Sequence, residues 1–159
     1  MVIAADAGAP SFVWRDEVRL VPPDATIGPY HEVMELPWPE ALVAVRPLER
    51  EIEAIAEAAL RDAIAAAGVP IGAVGVVGSA PRDIARIGNP HIRAHAAEGI
   101  LFRRVLELAA ERAGLRWSGF VESEVDAEIV RSLGRAAGRP WRTDERLAAA
   151  AAWSVCSHK

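Results

Sequence analysis

The sequence predicts one α/β domain, with a mixed sheet covered by helices on both faces. Three observations lead there. Short apolar or alternating runs fill the first 36 residues, two long stretches with helical periodicity follow, and a continuous apolar run, Ala73 to Val77, lies between them. A chain of 159 residues is one domain's worth and is long enough to bury a core without disulfides. Its 52% hydrophobic and 25% charged residues are those of a folded globular protein.

Val2 to Ala5 is an apolar run that ends in Asp6-Ala7-Gly8, a buried strand entering a tight turn. From Ser11 to Val21, Phe12, Trp14, Val18 and Leu20 alternate with polar residues until Pro22-Pro23 stops them. Tyr30 to Leu36 reads as a third strand, closed by Pro37-Trp38-Pro39. Ile52, Ile55, Leu60 and Ile64 then share one face of a helix over Leu48 to Ala67, with Gly68 as its stop and Pro70 beyond. After the strand at Ala73 to Val77, Asn89 is an N-cap and Pro90 suits the first helical position, where its missing N–H costs nothing. That helix runs to Ala113, with Ile100, Leu101, Val105 and Leu108 inward and Gly114 ending it. Trp117 to Val121 is the fifth strand. Asp126 to Leu133 gives one or two helical turns, broken at Gly138-Arg139-Pro140. Thr143 caps a last helix, Asp144 to about Trp153, whose alanines permit close packing on a sheet.

Composition excludes several classes. The net charge of −4 leaves no strongly basic coat for nucleic acid, though it allows a local arginine patch. A single cysteine, Cys156, permits neither an intrachain disulfide nor a cysteine-cluster metal site. The first ten residues lack a basic region and carry Asp6 inside their apolar run, unlike a signal peptide. No run reaches the ~18 apolar residues of a membrane helix, so a cytoplasmic location is expected.

With Asp6-Ala7-Gly8 closing the first strand, this order of elements resembles the ribonuclease H-like fold, closest to its RuvC/YqgF, Holliday-junction-resolvase-like branch. Asn89-Pro90-His91 through Ala97-Glu98-Gly99 is similar to a helical segment of that branch, and Asp144-Glu145-Arg146-Leu147-Ala148-Ala149 is similar to its acidic, alanine-rich final helix. The resemblance implies a ribonuclease H-like three-layer domain with a mixed five-stranded sheet spanning residues 1–159. It also implies a metal-dependent nuclease acting on structured nucleic acid, and a homodimer.

Phosphodiester hydrolysis of this kind uses two Mg²⁺ (or Mn²⁺) ions about 4 Å apart, held by hard carboxylate oxygens. Asp6 is the expected primary ligand, Asp144 or Glu145 the second side, and Asp83 a further acid. Each has an ordinary structural reading too: Asp-x-Gly is turn chemistry, and acids at a helix N-terminus favour its dipole by roughly 0.3–1 kcal/mol. The resembled family carries an acid at the end of strand four, where this chain has Val76-Val77-Gly78-Ser79. That departure supports a first alternative, a catalytically degraded binding or scaffold protein of the same fold. A second alternative is a small nucleotide-binding protein of the actin-like or sugar-kinase type.

His91 and His95 lie four apart on one helix face, with Glu98 three further on, a spacing that suits a transition metal. The plainer reading is an exposed polar first turn. Between the two stands a phosphate site at the helix start, formed by Asn89, His91, Arg93 and His95 with Arg82 and Arg86 from the preceding loop. Arg103, Arg104, Glu107 and Glu111 read as a solvated face, and Trp38, between prolines, as the tryptophan most open to solvent.

Overall fold

Two long helices, Arg46–Ala67 (α3) and Pro90–Arg112 (α4), pack side by side and carry the larger of two cores. The computed structural model describes residues 2–6, 8–25, 27–80 and 82–157, with the first of these segments described as backbone. Ile52 and Ala56 of α3 meet Ala94, Ala97, Leu101, Val105 and Ala109 of α4, and Tyr30 and Val45 complete the cluster. Ile52 and Val105 are fully enclosed, and each such side chain contributes about 1.5–3 kcal/mol by leaving water. Arg112 ties the same two helices at the surface, reaching Glu53 at 3.2 Å and also Glu57.

The helix boundaries follow local chemistry. Gly68 ends α3 with φ +64°, the left-handed conformation that glycine adopts without strain. Asn89 Oδ1 accepts the N–H of Ile92 at 3.0 Å, and Pro90 opens α4, as the sequence predicts.

The expected five-stranded mixed sheet is not formed. Among the described residues the strands pair only two by two. Val2–Asp6 (β1) and Ala9–Trp14 (β2) make an antiparallel hairpin. Ala73–Gly78 (β3) and Arg116–Val121 (β4) run parallel, joined by α4. The run from Val18 to Leu20 is not strand, and neither is Tyr30 to Leu36. The latter starts as a one-turn helix, Pro29–Glu32 (α1), and a second short helix, Trp38–Ala44 (α2), follows it. Alternation alone cannot distinguish a strand from a short segment whose apolar residues meet a long helix, and here the helix α4 wins. Trp38 is correspondingly half-buried, stacked on Tyr30 with ring centroids 5.7 Å apart, while Trp117 is the more exposed at 39%.

The parallel pair is nevertheless layered as an α/β unit. Helix α4 contacts one side, and the last helix, Thr143–Ser157 (α6), packs on β3. Its Ala149, Ala150 and Ala151 are fully buried in a second core with Val125, Val130 and Leu133. The close approach needs Gly75, because a β-carbon there would overlap the Ala151 carbonyl. On the other side, Arg103 and Glu107 pair at 2.8 Å, about four-fifths buried, and press against Gly119. They are a packed pair, where the sequence suggested a solvated face. Between α4 and α6, residues 131–133 form a 3₁₀ turn and Gly134–Ala137 a short helix (α5). No helix among the described residues is long and apolar enough to cross a membrane.

Replacing Gly75 by alanine places a methyl group into the backbone of α6. We expect a loss of about 1–3 kcal/mol in urea unfolding; an unchanged midpoint would show that α6 does not rest on β3 at this point.

Candidate metal centre

Helix α4 presents His91 and His95 one turn apart, both exposed, with Nε2 atoms 3.2 Å apart. A third imidazole arrives from elsewhere in the chain. His31, on α1, sits with its ring centroid 4.3 Å from that of His95 and 5.0 Å from that of His91. One ring nitrogen from each of the three lies within 4.8 Å of the others.

The carboxylate of Glu98, one turn beyond His95, holds His31 in place. Its Oε1 accepts three N–H groups: the Tyr30 amide at 3.1 Å, the His31 amide at 3.2 Å and His31 Nδ1 at 2.9 Å. Both amides lie at the N-terminus of α1, where a carboxylate also favours the local dipole, and the His31 amide is shared with the Gly28 carbonyl at 3.0 Å. Gly28 must precede them, because a β-carbon at that position would overlap the same carboxylate. Glu98 is 8% exposed, the one buried charged residue among those described. Burying a carboxylate is costly without donors, and here three converge.

Donation of Nδ1–H to Glu98 fixes the tautomer of His31 and leaves Nε2 with a lone pair. That Nε2 is sealed from solvent and has no hydrogen-bond partner. A buried acceptor without a donor is rare and costs about 1–3 kcal/mol. A divalent cation held by the three imidazoles would satisfy it. Tetrahedral zinc with Zn–N bonds of 2.0–2.1 Å needs ligand nitrogens about 3.3 Å apart. The His91–His95 pair already meets that spacing. Histidine ligands with one ring nitrogen held by a carboxylate are the usual support of such a site.

Of the carboxylates expected from the sequence, Asp83, Asp144 and Glu145 are not part of this group. Asp6 ends β1, and its side chain lies outside the described residues. Asp144 is exposed in the first turn of α6, and Glu145 accepts the Arg142 amide at 2.7 Å, closing the same helix start. Asp83 pairs with Arg86 at 3.0 Å on the exposed loop before α4. Among the described residues, the group of three potential ligands that converges is His31, His91 and His95.

The phosphate reading fares differently residue by residue. Asn89 uses its side chain as the α4 cap, and Arg82 is exposed. Arg93 donates to the Ile87 carbonyl at 3.3 Å and lies over the Trp38 ring at 5.6 Å, so it packs the α1–α2 region. His91 and His95 face each other and His31.

Sequence reasoning found two of the three histidines and missed His31, because Tyr30–Leu36 reads as a strand. A signal was present. Gly28-Pro29 is a helix-entry pair like Asn89-Pro90, with proline at the first helical position. Comparison of the chain with protein-family models, curated proteins and solved structures finds no match.

Tyr30 is the chain's single tyrosine and reports on the seating of α1. Its hydroxyl donates to Glu49 Oε1 at 2.8 Å, and its pKa stands well above the ordinary value, first through burial and then through that hydrogen bond and the Glu49 charge. The folded chain therefore keeps this proton more tightly than the unfolded chain. The associated stability is complete at neutral pH and falls as pH rises beyond the ordinary tyrosine value of about 10. Near-ultraviolet titration should show no tyrosinate at that pH until the protein unfolds; normal titration of a folded chain would contradict the seating of Tyr30 against Glu49.

Proposed function

We propose that this chain binds a divalent transition metal of the zinc class through His31, His91 and His95. The observation that carries the reading is the sealed, unpartnered Nε2 of His31, on a ring whose other nitrogen is held by Glu98 and which lies against the rings of His91 and His95. Imidazole suits zinc, copper, iron or nickel, whereas magnesium prefers an all-oxygen shell. Three protein ligands leave a fourth position, and the exposure of His91 and His95 turns that position to solvent. An open fourth position that holds an exchangeable water is the arrangement of catalytic rather than structural zinc sites.

Calorimetric titration of chelator-treated protein with zinc should give one equivalent of tight binding. Magnesium should give no heat at this site. At a hundredfold excess over the dissociation constant, zinc should raise stability by about 2.7 kcal/mol. His31→Ala and His91→Ala should each remove the tight equivalent. Equal zinc binding by wild type and both variants would overturn the site.

A second reading keeps the carboxylates expected from the sequence. Helix α6, which opens with Asp144 and Glu145, packs against the strand that ends in Asp6. That adjacency supports a magnesium- or manganese-dependent nuclease on structured nucleic acid. Cleavage of labelled DNA or RNA structures by wild type and not by Asp6→Asn would establish it, and equal cleavage by both would dismiss it.

A further inference from the structure

Residues 28–44, which carry α1 and α2, are held to the rest of the chain by side chains rather than by backbone pairing. Among the described residues, their main-chain hydrogen bonds close locally: Glu32 to Gly28, Met34 to His31, Leu36 to Val33 and Ala41 to Pro37. The amides that reach a distant part of the chain are those of Tyr30 and His31, and both end on Glu98 Oε1. Pro29, Tyr30 and Ala41 are the buried residues of the two short helices, whereas Leu36, Leu42 and Val43 are exposed. A segment with few buried side chains and only short-range backbone bonds opens at lower cost than the core.

Docking of this segment carries a cost that a metal ion removes. It seals His31 Nε2 away from water without giving it a partner, whereas an undocked imidazole is hydrated. The three clustered nitrogens are also divided across the joint. His31 belongs to the segment, and His91 and His95 belong to α4. A cation that takes all three therefore binds the docked form, and the undocked form offers it only two. A ligand shifts such an equilibrium by its difference in affinity for the two forms.

We propose that residues 28–44 form a metal-dependent strap, which opens locally from α4 in the metal-free protein and is locked down by a zinc-class cation. The inference rests on the metal reading and adds its regulation. The strap covers an apolar face: Tyr30, Met34, Trp38 and Ala41 lie over Ala94, beside the Arg93 guanidinium on the Trp38 ring. Metal occupancy thus sets how long that face of α4 stays covered. The coupling is reciprocal, so the cost of docking the strap is also drawn from the affinity for metal.

The test is amide hydrogen exchange, followed by NMR on chelator-treated protein with and without zinc, with calorimetry recording the bound equivalent. In the metal-free chain the Tyr30 and His31 amides should be at least about tenfold less protected than those of Leu101 and Val105 in α4. Zinc should raise the protection of Tyr30 and His31 at least about tenfold, because an opening that gives up His31 also gives up the tighter site. His91→Ala changes an exposed residue and leaves the contacts of the strap with Glu98 intact. It should keep the metal-free exchange pattern and lose the response to zinc. Equal protection of α1 and α4 without metal, or a bound zinc equivalent that leaves Tyr30 and His31 unchanged, would dismiss the strap and leave the site standing. Absence of any bound zinc, or a full zinc response in His91→Ala, would overturn both.

Discussion

The contact between Glu98 and the start of α1 organises the part of this protein that carries the three clustered imidazoles. A single carboxylate oxygen closes the N-terminus of a one-turn helix and orients the His31 ring on it. Four residues are far too few to hold a helix in water, because nucleation fixes several residues for one hydrogen bond. Helix α1 exists because α4 supplies its cap from 68 residues away and because Tyr30 is packed into the core between α3 and α4. The glycine at position 28 is the steric condition for that approach.

The rest of the architecture gives α4 the rigidity this role needs. It is the crossover between the parallel strands β3 and β4, it shares the larger core with α3, and it starts at a sound cap on Asn89. His91 and His95 therefore project from its first turns, and Glu98 from the next, on a well-supported element. Precise placement of metal ligands and the groups that orient them depends on such support. On the far side, the alanine face of α6 reaches the backbone of β3 at Gly75, so the two-stranded sheet is held between helices despite its small size.

The two strand pairs show where pattern reading of this chain goes astray. Alternation near Val18–Leu20 and Tyr30–Leu36 has the period of a strand, yet both segments lie against helices, where an apolar residue every second or third position also buries well. Strand pairing is a tertiary decision. It depends on which backbone groups come opposite one another, and among the described residues β1 pairs with β2 and β3 with β4. An α/β layering survives, and the five-stranded sheet does not.

Local chemistry in the sequence determined the long elements. The helices α3, α4 and α6, their stops at Gly68 and Gly114, the Asn89-Pro90 start and the strands β3 and β4 follow from periodicity, capping and glycine conformation, all short-range effects. The spacing of His91, His95 and Glu98 on one face was legible for the same reason, since 3.6 residues per turn is a local rule. Only the tertiary structure decided that Glu98 turns its carboxylate to α1 and that His31 becomes the third imidazole. Both depend on a contact between segments 67 residues apart, and no spacing within either segment encodes which way the other will fold.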